Sequence, residues 1–360
     1  MSSSDVPPNS FINDIRTSSQ FKGVTFSKYK KTDVRNQLIK NMVNGKVEPA
    51  CYWAAELVCA GHYMELWEAI LHYVGKHIHL GNPKIAIYLE MRYNIFRNIM
   101  AQGLYISEID LRNSSKIRGL FAEIICILVL SNKKHSFESI KINRTEEFDM
   151  TQMTERLKAP NVFFIESIFL KKDPKEIFIP INEFAYCISD ECANMRNASY
   201  WIEWIIEFDI LCRNKRSPTF CEKRTYVPVD VKYQKDIIWL IWDCLFHKKT
   251  TPFIEKILRA LFSLFCIKYT PAASKRRRYL LYYAVALLTE PVPTNIEMIS
   301  NKEIIQNVTE KIHEIYKQIK KTEESPNTEY LFTNMDSRVT FEESVKRMEL
   351  MNTVDFANYS

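Results

Sequence analysis

The stretch 49–83, PACYWAAELVCAGHYMELWEAILHYVGKHIHLGNP, constrains the fold of this chain more than any other. It reads as two helices and the start of a third. Pro49 suits a first helical position, where its missing N–H would lack a partner anyway. Gly61 can take the left-handed conformation that closes the first helix. In the second, Leu66, Trp67, Ile70, Leu71, Val74 and Ile78 recur at helical spacing and mark one apolar face. Gly81 ends it, and Asn82-Pro83 looks like an N-cap followed by Pro at the first position of the next helix.

Parts of this stretch return later in the same order. Ala50-Cys51-Tyr52-Trp53 returns as Ala198-Ser199-Tyr200-Trp201, and Leu66-Trp67-Glu68-Ala69-Ile70-Leu71-His72 as Ile241-Trp242-Asp243-Cys244-Leu245-Phe246-His247. Ser115-Lys116-Ile117-Arg118 returns as Ser274-Lys275-Arg276-Arg277. The expectation is an all-α chain with two tandem helical repeats, 48–131 and 196–289. The second carries an insertion: Trp53 and Trp67 are 14 apart, Trp201 and Trp242 are 41 apart. The extra residues form the basic segment 213–235, which Pro218 and Pro228 make a loop. All six tryptophans lie in the two units and read as core, with base stacking as the other use of such rings.

Around the repeats, 1–47 reads as a disordered leader and a basic arm, and 132–195 as a linker. Within the linker, 161–170 is β-rich by composition and is the one candidate strand. Asp173-Pro174-Lys175-Glu176 has the pattern of a helix start. The tail 290–360 is acidic. Ile304, Val308, Ile312, Ile315 and Ile319 form the stripe of an amphipathic helix, and a last helix is expected over 341–351.

Several function classes fall away. The longest apolar runs are shorter than the roughly 20 residues of a membrane helix, and the N-terminus MSSSDVPPNS is no secretory signal. A soluble intracellular protein that does not engage membranes is expected. Nine cysteines without framework spacing then read as reduced, mostly buried thiols. All seven glycines lie at or before Gly119, and none sits in a phosphate-binding motif, so no nucleotide cofactor is expected. His62, His72, His77 and His79 accompany Cys51 and Cys59. Their spacing is not that of zinc ligands and no CxxC occurs, so no metal site is expected. No set of nucleophile and base stands out, and no catalytic residue is assigned.

Charge is more informative. The arm 16–46 holds eight Lys or Arg against one acid, the insertion 213–235 seven against two, and the tail 290–360 eight against thirteen. Lys275-Arg276-Arg277-Arg278 reads as the start of a helix, where the macrodipole disfavours cations and an anionic partner would be welcome. The expected nucleic-acid or anion contacts are therefore Lys275, Arg276, Arg277 and Arg278, with Arg213, Lys215, Arg216, Lys223 and Arg224 in the insertion.

Ala50, Tyr52-Trp53-Ala54, Gly61, Leu80, Asn82-Pro83 and Ala86, in that order, resemble the helical collar of the clamp-loader-like ATPases. The nearest likeness is to replication-associated recombination protein A and its Werner-helicase-interacting relatives. The resemblance covers about a ninth of the chain. Paired arginines of that family are replaced by Leu66-Trp67, and no P-loop precedes the match. It implies a docking or oligomerisation fold without the motor. The Lys/Asn/Ile-rich style also looks like proteins of large DNA viruses of protists and algae. The function expected is a non-enzymatic scaffold that binds nucleic acid or an acidic protein surface in DNA replication or repair, with a homo-oligomer as a further expectation. The alternative is a minor capsid or core component of a virus particle. Placement would follow: host cytoplasm, nucleus or virion.

Overall fold

The structure, a computed structural model, describes residues 6–101, 107–144, 148, 154–298 and 301–324. Among them are thirteen α-helices and no strand, so the chain is all-α. The described residues fall into two compact units. One draws on Met1–Ile70, Met91–Ser131 and Glu297–Ser360, the other on Leu71–Glu90 and Asn132–Ile296. These do not follow the expected boundaries, since 71–90 belongs with the later residues and the tail helix with the earlier ones. The helix expected over 341–351 lies outside the described residues.

The first unit holds α1 (Lys31–Val43), α2 (Val47–Cys59), most of α3 (Tyr63–Tyr73), the end of α4 (Ile85–Ala101), α5 (Glu108–Arg112), α6 (Ser115–Leu130) and α13 (Lys302–Lys320). Helix α2 is its centre: every residue from Pro49 to Cys59 is buried, with α1, α6 and α13 packed around it. Its sequence permits this, because Glu56 is the one charge in that run. Gly61 has φ +70° and closes α2 as expected, with His62 N–H donating to Leu57 O and Gly61 N–H to Val58 O. Pro49 is the third residue of α2, within its first turn but not at its first position. Trp67 is fully buried against Tyr93, Phe96 and Phe121. Helix α13 is capped by Asn301 and buries Ile312, Ile315, Tyr316 and Ile319 on α2 and α6.

The leader is not loose where it is described. Val6, Ser10, Ile12 and Asp14 are buried, and Arg112, Asn113 and Arg118 of α5, its C-cap and α6 hold the main chain of Asp14, Ile12 and Ser10. Sequence periodicity could not show this, because the partners of the segment lie about a hundred residues away.

The second unit holds α7 (Phe178–Ile188), α8 (Met195–Asn214), α9 (Ile238–His247), α10 (Pro252–Phe265), α11 (Pro271–Arg276) and α12 (Arg278–Thr289). Helix α12 is central, buried from Tyr279 to Leu287 and packed on α8 and α10. A π-helical turn, Val74–Ile78, lies against it. Gly75 is required there, since a Cβ would sit 2.7 Å from the Tyr279 main chain. Trp242 is fully buried among Phe246, Phe262 and Phe265. The candidate strand at 161–170 is instead a 3-10 turn, Phe163–Ile165, followed by further turns, because no neighbouring strand is there to pair with it. The supposed linker is core: Ile165, Ile177, Ile181 and Phe184 are all buried.

Candidate nucleic-acid interface

Helix α8 ends at Asn214, and Arg216, at φ +56°, turns the chain into the basic insertion. Arg213, in the last turn of α8, ties the entrance of the loop to its exit. Its Nε donates to Asp209 at 2.8 Å and a terminal nitrogen to Asp236 at 2.9 Å. Inside the loop, Cys221 N–H donates to Lys235 O, Arg224 N–H to Gln234 O, and the Gln234 amide to Val227 O, at 2.8 to 2.9 Å.

Arg224 is buried and does not face solvent. It donates to both oxygens of Asp173, at 2.6 and 2.7 Å, and through Nε to Asp243 at 2.9 Å. Tyr226 donates to the other Asp243 oxygen at 2.5 Å. Burial alone would lower the affinity of Arg224 for its proton, but the bonds to Asp173 and Asp243 more than reverse this and push its pKa up. Asp236 is held above the usual carboxylate range by burial, against the pull of Arg213.

With Arg213 and Arg224 turned inward, Lys215, Arg216, Lys223, Lys232 and Lys235 are left exposed. Phe220, Tyr226 and Val231 are exposed among them. Glu222 joins a second basic stretch to the loop: its N–H donates to Asp173 and its carboxylate accepts from Lys172 N–H, which brings Lys171 and Lys172 alongside. The result is a loop held by its own bonds that exposes five cations together with Phe220 and Tyr226. That is the combination that meets phosphates and stacks on bases.

The second predicted cluster is built differently from the expectation. Helix α11 ends at Arg276 and α12 begins at Arg278, so Lys275 and Arg276 occupy the last turn of a helix, where its dipole favours cations. Lys275 donates to Glu207 at 2.8 Å, and Arg278 pairs with Glu203 at 2.9 Å. These two carboxylates are one turn apart on α8. Arg277 is buried and donates to Phe265 O at 2.6 Å. Arg144 also pairs with Glu207. Burial holds the Glu203 carboxyl above its usual range despite Arg278 and the Tyr282 hydroxyl. Of the four residues, Lys275 and Arg276 are exposed, Arg278 is half-buried and Arg277 is buried. Sequence reasoning reached Glu203, as a carboxylate to pair with Lys275 or Arg277, but missed Glu207, whose helical spacing from Glu203 opposite a basic run is the signal that could have found it.

His77 and His135 meet through their Nδ1 atoms at 3.0 Å, and His72 packs edge-on against Tyr279. Burial, with Lys76 and His135 nearby, holds His77 down at about 4. Among the described residues no three His, Cys, Asp or Glu side chains are grouped to hold a metal ion. The described cysteines are unpaired thiols, and burial pushes those of Cys126 and Cys221 up to about 12. No described helix is long and apolar enough to cross a membrane. Neither a protein-family model, nor a curated protein, nor a solved structure matches the chain.

Proposed function

We propose that this protein is a non-enzymatic helical scaffold that binds nucleic acid through the 213–235 loop, with Lys171 and Lys172 extending the surface. One observation carries the reading. Two of the three arginines of the segment, Arg213 and Arg224, are spent as internal anchors, and the remaining five cations are exposed, as is Phe220. A segment that needed only to be solvated would not need two carboxylate-pinned arginines to fix its shape. The collar-like residues Ala50, Tyr52-Trp53-Ala54, Gly61, Leu80, Asn82-Pro83 and Ala86 favour replication or repair as the setting.

The test is anisotropy of labelled single-stranded DNA, double-stranded DNA and RNA across a salt series. Each phosphate contact contributes about 0.7 to 0.9 to the slope of log affinity on log salt. Replacing Lys215, Arg216 and Lys223 with Ala should flatten that slope by about two and leave the melting temperature unchanged. No binding at low salt, or a slope indifferent to the substitutions, would sink the proposal.

A further inference from the structure

Residues 11–17 run through the first unit with no helix or strand of their own. Buried main-chain groups must find partners somewhere, and here side chains supply them. The Asn113 amide clasps Ile12 at both ends: Ile12 N–H donates to Oδ1 and Nδ2 donates to Ile12 O, each at 2.8 Å. Arg118 donates to Ser10 O at 3.2 Å, and Arg112 to the carbonyl oxygens of Asp14, at 2.7 Å, and Arg16. Lys320 donates to Pro8 O, and Glu323 accepts from Asn13 N–H. Glu108 accepts from the main chain and hydroxyl of Ser18.

The groove is itself rigid. Arg112 and Arg118 are fully buried, Arg118 donates through Nε to Arg112 O at 2.8 Å, and its guanidinium lies 3.9 Å from the centre of the Tyr316 ring. Only alternate side chains of the segment point into it: Ser10, Ile12 and Asp14 are at 0% exposure, while Asn13 and Ile15 are exposed. Asp14 accepts from Glu324 N–H at 2.8 Å and pairs with Arg16. Main-chain bonds that any extended peptide can make, combined with pockets for alternate side chains, are how extended peptides are recognised.

We infer that α5, the start of α6 and the end of α13 form a peptide-recognition groove occupied by the chain's own residues 8–18. Its ligand class is an extended segment of a partner protein with a small hydroxyl residue, an aliphatic residue and an aspartate at alternate positions. Beyond the groove Ser19, Gln20, Lys22 and Gly23 are exposed, while Phe21 between them is buried with Arg16 and Arg112 over its ring. Gly23, at φ +82°, has nothing within 4 Å of where a Cβ would stand.

The test uses the full chain and a fluorescein-labelled peptide copying residues 6–18. In the wild type the resident segment competes at an effective concentration of ~1 mM. An Ile12→Glu chain, whose own segment cannot bury a charge in the Ile12 pocket, should bind the peptide at least ten-fold more tightly than wild type. A peptide carrying Ile12→Glu should not bind, and adding Asn113→Ala to the Ile12→Glu chain should remove the gain. Equal binding by both chains, or by both peptides, overturns the inference. If Ile12→Glu fails to fold, a protease site inserted after Gly23 replaces it. The cut segment should stay bound at micromolar concentration and be replaced by 1 mM labelled peptide, and a segment that cannot be replaced is a permanent structural part. Arm exchange between differently labelled full chains at the same concentrations would assign the groove to a second copy and not to a partner.

Discussion

The Asp173 carboxylate accepts from both terminal nitrogens of Arg224, at 2.6 and 2.7 Å, across 51 positions of sequence. In the sequence one is a helix-start residue and the other a loop cation. Together, at 0% and 3% side-chain exposure, they fix the insertion against the segment that precedes α7. The outward cations owe their placement to this inward pair.

Removing one partner of such a pair strands a buried charge. Asp173→Ala should therefore cost about 3–5 kcal/mol, read by urea unfolding. Replacing both residues with apolar ones of similar size, Asp173→Leu with Arg224→Met, should cost much less than the single change. A single-mutant loss below about 1 kcal/mol would mean that the loop is held by its main-chain bonds alone.

The Lys275-Arg276-Arg277-Arg278 corner should divide on substitution. Arg276→Ala should cost less than Arg277→Ala, because Arg276 is exposed and Arg277 is buried. Arg277→Ala leaves the Phe265 carbonyl unsatisfied and should cost about 1–3 kcal/mol. Arg278→Ala should exceed Arg276→Ala, because Glu203 is 1% exposed and loses its charged partner. Melting curves of the three single variants check the order. A larger loss at Arg276 than at Arg277 would contradict it.

Helices were the legible part of this chain. The 3.6-residue period of α3 and α13, the left-handed close at Gly61 and the breaks at Pro218 and Pro228 depend on neighbours in sequence, and pattern reading reaches those. What depends on residues far apart was not legible. Arg224 counts as a cation until Asp173 is beside it, and Lys275 until Glu207 is. The leader lacks apolar periodicity because Asn113, Arg112 and Arg118 grip its main chain, which every sequence shares. The π-turn at Val74–Ile78 was hidden for a similar reason, since the need for Gly75 is set by Tyr279.

Trp67 and Trp242 are both fully buried, and in both the indole N–H has no hydrogen-bond partner. Their value is then packing alone. Trp→Ala at either should cost about 3–5 kcal/mol, while Trp→Phe should cost clearly less because no hydrogen bond is lost with the indole. If the two positions descend from a duplication, the paired losses should agree within about 1 kcal/mol, and Trp53 should superpose on Trp201 when α2 and α3 are laid on α8 and α9. Melting temperatures unchanged by both Ala substitutions would place the rings outside the core and revive a stacking role.

Glu56 makes the first unit sensitive to pH in a direction opposite to that of most carboxylates. It is fully buried in α2 and accepts from Ser27 Oγ at 2.5 Å and Ser27 N–H at 3.1 Å. Burial raises its pKa above the ordinary 4.5, and the bonds from Ser27 reverse this only in part. A carboxyl with a raised folded pKa takes up its proton more readily in the folded state than in the unfolded one. Stability from this group therefore grows as pH falls through the folded pKa toward 4.5 and is lost as pH rises through the same window. Glu56→Gln keeps an acceptor for the Ser27 N–H and removes the titration. The variant should melt at or above the wild-type temperature at pH 8, and its advantage should shrink as pH approaches 4.5. Taking the difference between the two proteins at each pH cancels every other titrating group. A wild type more stable than the variant at pH 8, with the gap closing in acid, would mean that the Ser27 bonds outweigh burial and that the carboxylate is the form the fold prefers.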